Sequence, residues 1–161
     1  MSTEDAEIAE VARAAGAEVA ERPPELATDD ASTLAVVRHT VGLIDADIVV
    51  VLQPTSPIRR PGLVDLCVGH FAATGADSLG TVHRDYSYEY GATMPRRQEI
   101  RPRLVDNGNV YVLSATLVRA GRWIGEHPQT FEITREEGVE IDDEFDLWLA
   151  QQILAHRWPA T

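Results

Sequence analysis

Residues 49–61, VVVLQPTSPIRRP, run from β-branched residues into a polar loop whose side chains are able to do chemistry. Gln53 carries an amide that donates and accepts hydrogen bonds at once, which suits the edge of a base or a sugar hydroxyl. Pro54 and Pro57 stiffen the backbone around Thr55 and Ser56. The same residues also read as a stiff turn with a capping hydroxyl, and spacing alone leaves both readings open. A second candidate lies in EIDDEFD, residues 140–146. Glu140 and Asp142 alternate along an expected extended segment, so their carboxylates face one way. Two oxygen donors on one side are what Mg²⁺ takes when phosphate and water complete its shell. Acids just ahead of a helix serve equally as N-caps and dipole partners, and for such a pattern that is the commoner role.

A third candidate is Arg97 with Gln98, in an arginine-rich stretch that holds Arg84, Arg96, Arg101 and Arg103 as well. Arginine forks bind phosphate or carboxylate through paired hydrogen bonds, although arginine-rich loops are often simply solvated. Asn107-Gly108 is a common turn pair and by itself predicts a turn before a strand. His39, His70, His83, His127 and His156 show no metal-ligand spacing, and no G-x-S-x-G elbow, zinc pattern or Walker sequence occurs.

The elements that must position these residues alternate between helix and strand. Ser2 and Thr3 are candidate caps for a first helix with Ile8, Val11, Ala12 and Ala15 on one side and Gly16 as its stop. Residues 17–19 form a short strand candidate, the two prolines Pro23 and Pro24 enforce a loop, and residues 34–44 predict a second helix. Residues 48–52 are continuously apolar and β-branched, as a strand covered on both faces reads. After the loop, residues 61–75 predict a helix with Leu63, Leu66, Cys67, His70 and Phe71 on one side, and residues 76–82 return as a strand. Residues 108–113 give another strand, 114–128 a short helix and 130–133 a strand. Residues 140–158 predict a closing helix with Phe145, Leu147, Trp148, Leu149, Ile153 and Leu154 available for packing. The order predicts an α/β fold with a mostly parallel sheet and a right-handed crossover. In such sheets ligands bind beyond the carboxyl ends of the strands, which is where the Gln53 loop falls.

With 161 residues, one domain spanning 1–161 is the expectation. Fourteen basic against 26 acidic side chains give a net charge of −12, which disfavours a non-specific grip on nucleic acid or an anionic membrane. The lone Cys67 excludes an internal disulfide and fits a reducing compartment. The acidic opening MSTEDAEIAE lacks the apolar stretch of a signal peptide, and IVVVL is too short to span a bilayer, so a cytoplasmic protein is expected.

Taken in order, these segments resemble the cytidylyltransferase family that includes the CMP-N-acylneuraminate synthetases and their relatives for Kdo and other nonulosonic acids. STEDAEIAEVARAAGAEV resembles that family's S-T-D-D-x-x-I-A-x-x-A helix and RPPELATDDAST its R-P-x-x-L-A-x-D loop. LQPTSPIR resembles its L-Q-P-T-S-P-L-R signature, RQ followed by NGNVY its R-Q and N-G-x-I-Y pair, and EIDDEFDL its D-I-D-T-x-x-D-L ending. The resemblance implies a Rossmann-like nucleotide-diphospho-sugar transferase fold. It also implies transfer of CMP from CTP to a 2-keto sugar acid, sialic, Kdo, pseudaminic or legionaminic in type, with release of pyrophosphate. Arg22, Thr33 and Gln53 would line the nucleotide side; Gln53, Ser56, Gln98, Asn107 and Tyr111 would bind substrate; Arg97, Gln53 and Asp142 would act in catalysis. Glu140 and Asp142 would hold Mg²⁺. A homodimer is implied, with residues 83–130 as a substrate and dimerisation insertion and Trp123 and Ile124 near the bulky pair that crosses to the neighbouring subunit. The family opens with a strand and a loop close to L-x-P-A-R-x-G-S-K, and this sequence matches only the family's segments C-terminal to that loop. The expectation is therefore a domain lacking its first strand and phosphate loop, with weak or no turnover, or else a non-catalytic nucleotide-sugar-binding or dimerisation module.

Overall fold

The computed structural model describes residues 1–88, 91 and 96–157. The chain divides into two compact units, residues 1–49 with 113–125 and residues 50–112 with 126–161. In the first, β1 (Ser2–Thr3) pairs in parallel with β2 (Ala20–Glu21), in the register Ser2 to Ala20 and Thr3 to Glu21. Between them runs α1 (Ala6–Ala14), capped by Asp5, whose carboxylate accepts the Ile8 amide at 2.9 Å. Ser2 and Thr3 are thus strand residues and not the expected caps, because a register-specific ladder satisfies their backbone and leaves Asp5 at the helix entrance. The second strand likewise falls three residues later than the sequence suggested. The buried side of α1 is Ala9 and Ala12, while Ile8 and Val11 are exposed. Next, α2 (Thr33–Gly42) is capped by Ser32 and packs on α4 (Ala115–Arg119), itself capped by Ser114. Val41, Ala115, Leu117 and Val118 are buried in this unit.

The second unit is built on the strand order β3-β5-β4-β6, with β3 at Ile48–Val51, β4 at Ser78–Asp85, β5 at Arg103–Ser114 and β6 at Pro128–Glu132. The first two residues of β3 and the last two of β5 are counted with the first unit. β4 and β6 run parallel, Ser78 opposite Pro128 through Val82 opposite Glu132. Helix α3 (Leu63–Thr74) lies on β4 and β6. Left-handed Gly62 (φ +78°) opens it and left-handed Gly75 (φ +63°) closes it, conformations that glycine adopts without a Cβ penalty. Leu63, Cys67 and Phe71, one helical turn apart, meet Leu79, Val110, Val112 and Ile133 in the core. Burying a side chain of this size contributes about 1.5–3 kcal/mol. Leu66, expected on that face, is 52 % exposed. The edge strand β3 buries neither face fully, and Ile48 and Val50 are exposed, against the expectation of a strand covered on both sides.

The last helix, α5 (Glu144–Arg157), starts two residues beyond Asp142; Trp158, expected in it, lies outside the described residues. Asp143 accepts the Asp146 amide at 2.9 Å, so an acid ahead of the helix does serve as a cap. Phe145, Leu147 and Trp148, read as packing residues, are exposed, while Ala150 is buried. Among the described residues no helix is long and apolar enough to cross a membrane.

Candidate functional site

Within the second unit, three segments meet through buried polar groups: the loop after β3, the middle of β5 and the turn after β6. The loop closes on itself where the Ser56 amide donates to the Gln53 carbonyl at 3.2 Å. It is tied to β5 by the Ser56 hydroxyl, which donates to the Asn107 carbonyl at 2.8 Å. It is tied to the third segment by the Ile141 amide, which donates to the Thr55 carbonyl at 2.8 Å. Asn109, fully buried, crosses between all three: its Nδ2 donates to the carbonyls of Ile58 and Glu137, each at 2.7 Å.

Arg59 completes this frame, and nothing in its spacing singled it out. Its Nε donates to Asn109 Oδ1 at 2.8 Å and to the Asn109 carbonyl at 3.2 Å. Its Nη2 donates to the carbonyls of Ser56 at 2.8 Å, Asn109 at 3.0 Å and Gln53 at 3.5 Å. Burial lowers the Arg59 pKa from its ordinary value, yet it forms no ion pair among the described residues. Next to it, Arg60 pairs with Glu137 at 2.5 Å; the Glu137 side chain is 2 % exposed and also accepts the Thr134 amide. That pair holds the turn after β6 in place.

Gln53 lies against Gly108. A Cβ at Gly108 would stand 2.5 Å from Gln53 Oε1 and 3.1 Å from its Cδ, and the residue has φ +65°. The backbone angle favours glycine, and a Cβ there would also displace the end of Gln53. The Asn107-Gly108 pair, read as a turn before a strand, is inside β5, which extends from Arg103. No hydrogen bond engages the Gln53 side-chain amide among the described residues, and the residue is half-buried.

Asn107 is 2 % exposed. Its Oδ1 accepts the Thr81 hydroxyl at 2.9 Å and the Asn109 amide at 3.2 Å, which fixes the orientation of the side-chain amide. Nδ2 is consequently turned away from both, and it is a buried donor with no partner among the described residues. A buried donor left unpaired costs about 1–3 kcal/mol, so a water or a polar ligand is needed to satisfy it. Tyr111 donates its hydroxyl to Asp106 Oδ1 at 2.8 Å, and the same oxygen accepts the Gly108 amide at 3.2 Å. Burial, then the bond to Asp106 and the charges of Asp106 and Glu140, raise the Tyr111 pKa well above the ordinary phenol value. The phenol stays protonated and works as a donor that locks Asp106. Asp106, Thr81 and Asn109 were not singled out from the sequence; an Asn-Gly-Asn run in an otherwise apolar strand was the available signal.

Glu140 is half-buried and Asp142 exposed, in a segment outside any strand. Among the described residues no group of three or more His, Cys, Asp or Glu side chains is arranged to hold a metal. Arg97 and Gln98 lie exposed in the short 3-10 turn Arg97–Glu99 and take no part in the frame around Asn109. Arg22 and Thr33 belong to the first unit. Arg22 Nη2 donates to the Ser2 carbonyl at 2.6 Å, Nη1 pairs with Glu4 at 3.5 Å, and its buried Nε has no partner there. Thr33 is exposed at the start of α2.

The frame thus offers neutral amide donors and a half-buried cation whose hydrogen bonds among the described residues all go to the frame, while the Ser56 proton is committed to the Asn107 carbonyl. Amide donors of this kind suit polar ligands that carry acceptor oxygens. The relatives of this chain have matching architecture. Its fold is similar to that of a CMP:2-keto-3-deoxy-manno-octonic acid synthetase complexed with CTP (TM-score 0.73, 15 % identity, 97 % of this chain and 80 % of that one). A 4-diphosphocytidyl-2C-methyl-D-erythritol synthase from Anaerococcus prevotii is also similar (TM-score 0.64, 10 % identity, 92 % and 76 % covered). In sequence, 94 % of the chain matches N-acylneuraminate cytidylyltransferase A of Danio rerio at 29 % identity, and N-acylneuraminate cytidylyltransferase of Oncorhynchus mykiss at 26 %. The chain spans 40 % and 39 % of the length of those two proteins. The cytidylyltransferase family model matches residues 1–101, through the Gln53 loop and past Arg97, and on that evidence the chain belongs to the cytidylyltransferase family.

Proposed function

We propose that this chain is the catalytic domain, or part of it, of a cytidylyltransferase that moves CMP from CTP to a 2-keto sugar acid of the sialic or Kdo type. The observation that carries the sugar side is the Nδ2 of buried Asn107, without a partner among the described residues, next in sequence to the glycine against which the Gln53 side chain lies. Hydroxyls and a carboxylate supply the acceptors those amides lack. In the reaction the anomeric hydroxyl oxygen attacks the α-phosphorus of CTP. The new O–P bond forms as the bond to the β-phosphate breaks, pyrophosphate leaves with the electron pair, and the hydroxyl proton is released. Arg97 is read as a cation for the developing charge, Gln53 and Asp142 as its catalytic companions, and Ser56, Gln98 and Tyr111 as substrate-side residues. Arg22 and Thr33 are read as nucleotide-side residues of the first unit, a role supported by the unpartnered Nε of Arg22.

Glu140 and Asp142 fit Mg²⁺ by donor chemistry, being two hard oxygen donors whose shell phosphate and water would complete. Bound there, Mg²⁺ supplies neutralisation of phosphate charge. A homodimer with Ile124, 61 % exposed, in its interface and a cytoplasmic location belong to the same reading.

The test is pyrophosphate release by the full chain with CTP and Mg²⁺, using N-acetylneuraminate and Kdo in parallel. Release that requires a sugar acid, weak in this chain because it matches only the family's segments beyond the phosphate loop, and lost in Gln53→Ala, is expected. Binding of a sugar acid without release would refute transfer by this chain while leaving the site assignment standing. No binding of either sugar acid would refute both.

A further inference from the structure

Every hydrogen bond of Arg59 among the described residues goes to an oxygen of the frame itself. Its acceptors are the Gln53, Ser56 and Asn109 carbonyls and the Asn109 side-chain oxygen, at 2.8 to 3.5 Å. The first two lie at the ends of the tight turn that carries Gln53, and the other two lie on β5 immediately after Gly108. One rigid guanidinium fork thereby fastens the base of the Gln53 turn to the strand on whose glycine the Gln53 side chain rests. A lysine ammonium keeps the charge but is a single point on a flexible stem and cannot hold four oxygens in that planar arrangement. Arg59 is half-buried, and here carbonyl dipoles stand in place of a carboxylate partner.

We propose that Arg59 is the positioning residue for Gln53, clamping the loop to β5 so that the Gln53 amide is held over Gly108 before any ligand arrives. The functional consequence rests on the reading of Gln53 as a sugar-acid-binding amide; the geometric one does not. A role confined to general stability would leave Gln53 where it is in any variant that still folds. A positioning role couples the two residues, so that once Gln53 is removed the Arg59 substitution has little left to harm.

The experiment uses the full chain, wild type, Arg59→Lys, Gln53→Ala and the double variant, with native circular dichroism as the criterion of folding. By NMR, wild type is expected to show contacts between the Gln53 side chain and the Gly108 α-protons and a slowly exchanging Arg59 Nε–H. Folded Arg59→Lys should lose the Gln53–Gly108 contacts. In N-acetylneuraminate binding, Arg59→Lys should lose about as much as Gln53→Ala, roughly tenfold for the loss of about 1.4 kcal/mol of binding, and the double variant less than twofold more. Retained Gln53–Gly108 contacts in folded Arg59→Lys would overturn the proposal, as would losses that multiply in the double variant. If Arg59→Lys fails to fold, the wild-type signal decides: an Arg59 Nε–H that exchanges as fast as an exposed arginine overturns the clamp. A chain that binds no sugar acid would refute the functional reading of Gln53 and leave the NMR comparison fully decisive for Arg59.

Discussion

Replacing Gly108 by alanine tests the frame at its narrowest point. The residue has φ +65°, a region that costs a residue with a Cβ about 1–2 kcal/mol. Crowding adds to this, since the new methyl would stand 2.5 Å from Gln53 Oε1 and 3.1 Å from Ser56 Oγ. The end of Gln53 can swing away at little cost. Ser56 cannot move as freely, because its hydroxyl is held at 2.8 Å by the Asn107 carbonyl. Stretching that buried bond costs about 1 kcal/mol. The expected total is about 2–3 kcal/mol, read by urea denaturation, together with displacement of Gln53 and loss of sugar-acid binding. Gly108→Asn separates the two causes, because asparagine tolerates the left-handed region but brings the same Cβ. If strain dominates stability, the asparagine variant recovers much of it while binding stays impaired. Alanine at 108 with stability unchanged within about 0.5 kcal/mol, the ordinary range for an inconsequential substitution, and with unchanged binding would refute this account of the loop.

Thr81→Val removes the hydroxyl that donates to Asn107 Oδ1 and accepts the Val110 amide at 2.9 Å. A loss of about 1–3 kcal/mol is expected in denaturation, while Thr81→Ser stays near wild type; equal stability of the valine variant would contradict the network. Glu137→Gln weakens the buried pair with Arg60. Because Arg60 remains partly solvated, a cost at or below the lower end of about 3–5 kcal/mol for broken buried pairs is expected, and an unchanged melting temperature would count against it. Burial pushes the Cys67 thiol up to about 11, with the Arg60 charge opposing and the Glu137 charge adding. The native state therefore holds this proton more tightly than the unfolded chain. Stability is fully present below pH 9.0, the ordinary thiol value, and falls as pH rises towards about 11. Tyr111, raised in the same sense, adds to the alkaline loss. Melting temperatures measured from pH 8 to 11 should decline less in Cys67→Ala than in wild type, and iodoacetamide should label Cys67 only on unfolding; rapid labelling of the native protein would contradict the burial.

Local patterns located α3, whose glycines at 62 and 75 bracket it, and the capping role of acids before α5, because propensity and caps act over a few residues. The α/β order and the polar loop at Gln53 were legible for the same reason. The extent of β5 was not, since Asn107-Gly108 is a turn pair to local inspection, whereas in the fold Gly108 bends within a strand and admits Gln53. The apolar faces of α1 and α5 were misjudged because periodicity states which residues share a side, not whether anything covers that side.

The sequence by itself therefore determined the α/β order of most elements, β1 excepted, and named candidate polar residues without deciding what they bind. Only the tertiary structure decided that Arg59 and Asn109 hold the Gln53 loop, that the Asn107 Nδ2 is left without a partner among the described residues, and that Tyr111 serves as a locked donor. Arg59 and Asn109 are 50 residues apart in the chain. Hydrogen bonds over such separations depend on which strand lies beside which, and burial, which gives them their strength and raises the cost of leaving one unmade, exists only once the strands have packed.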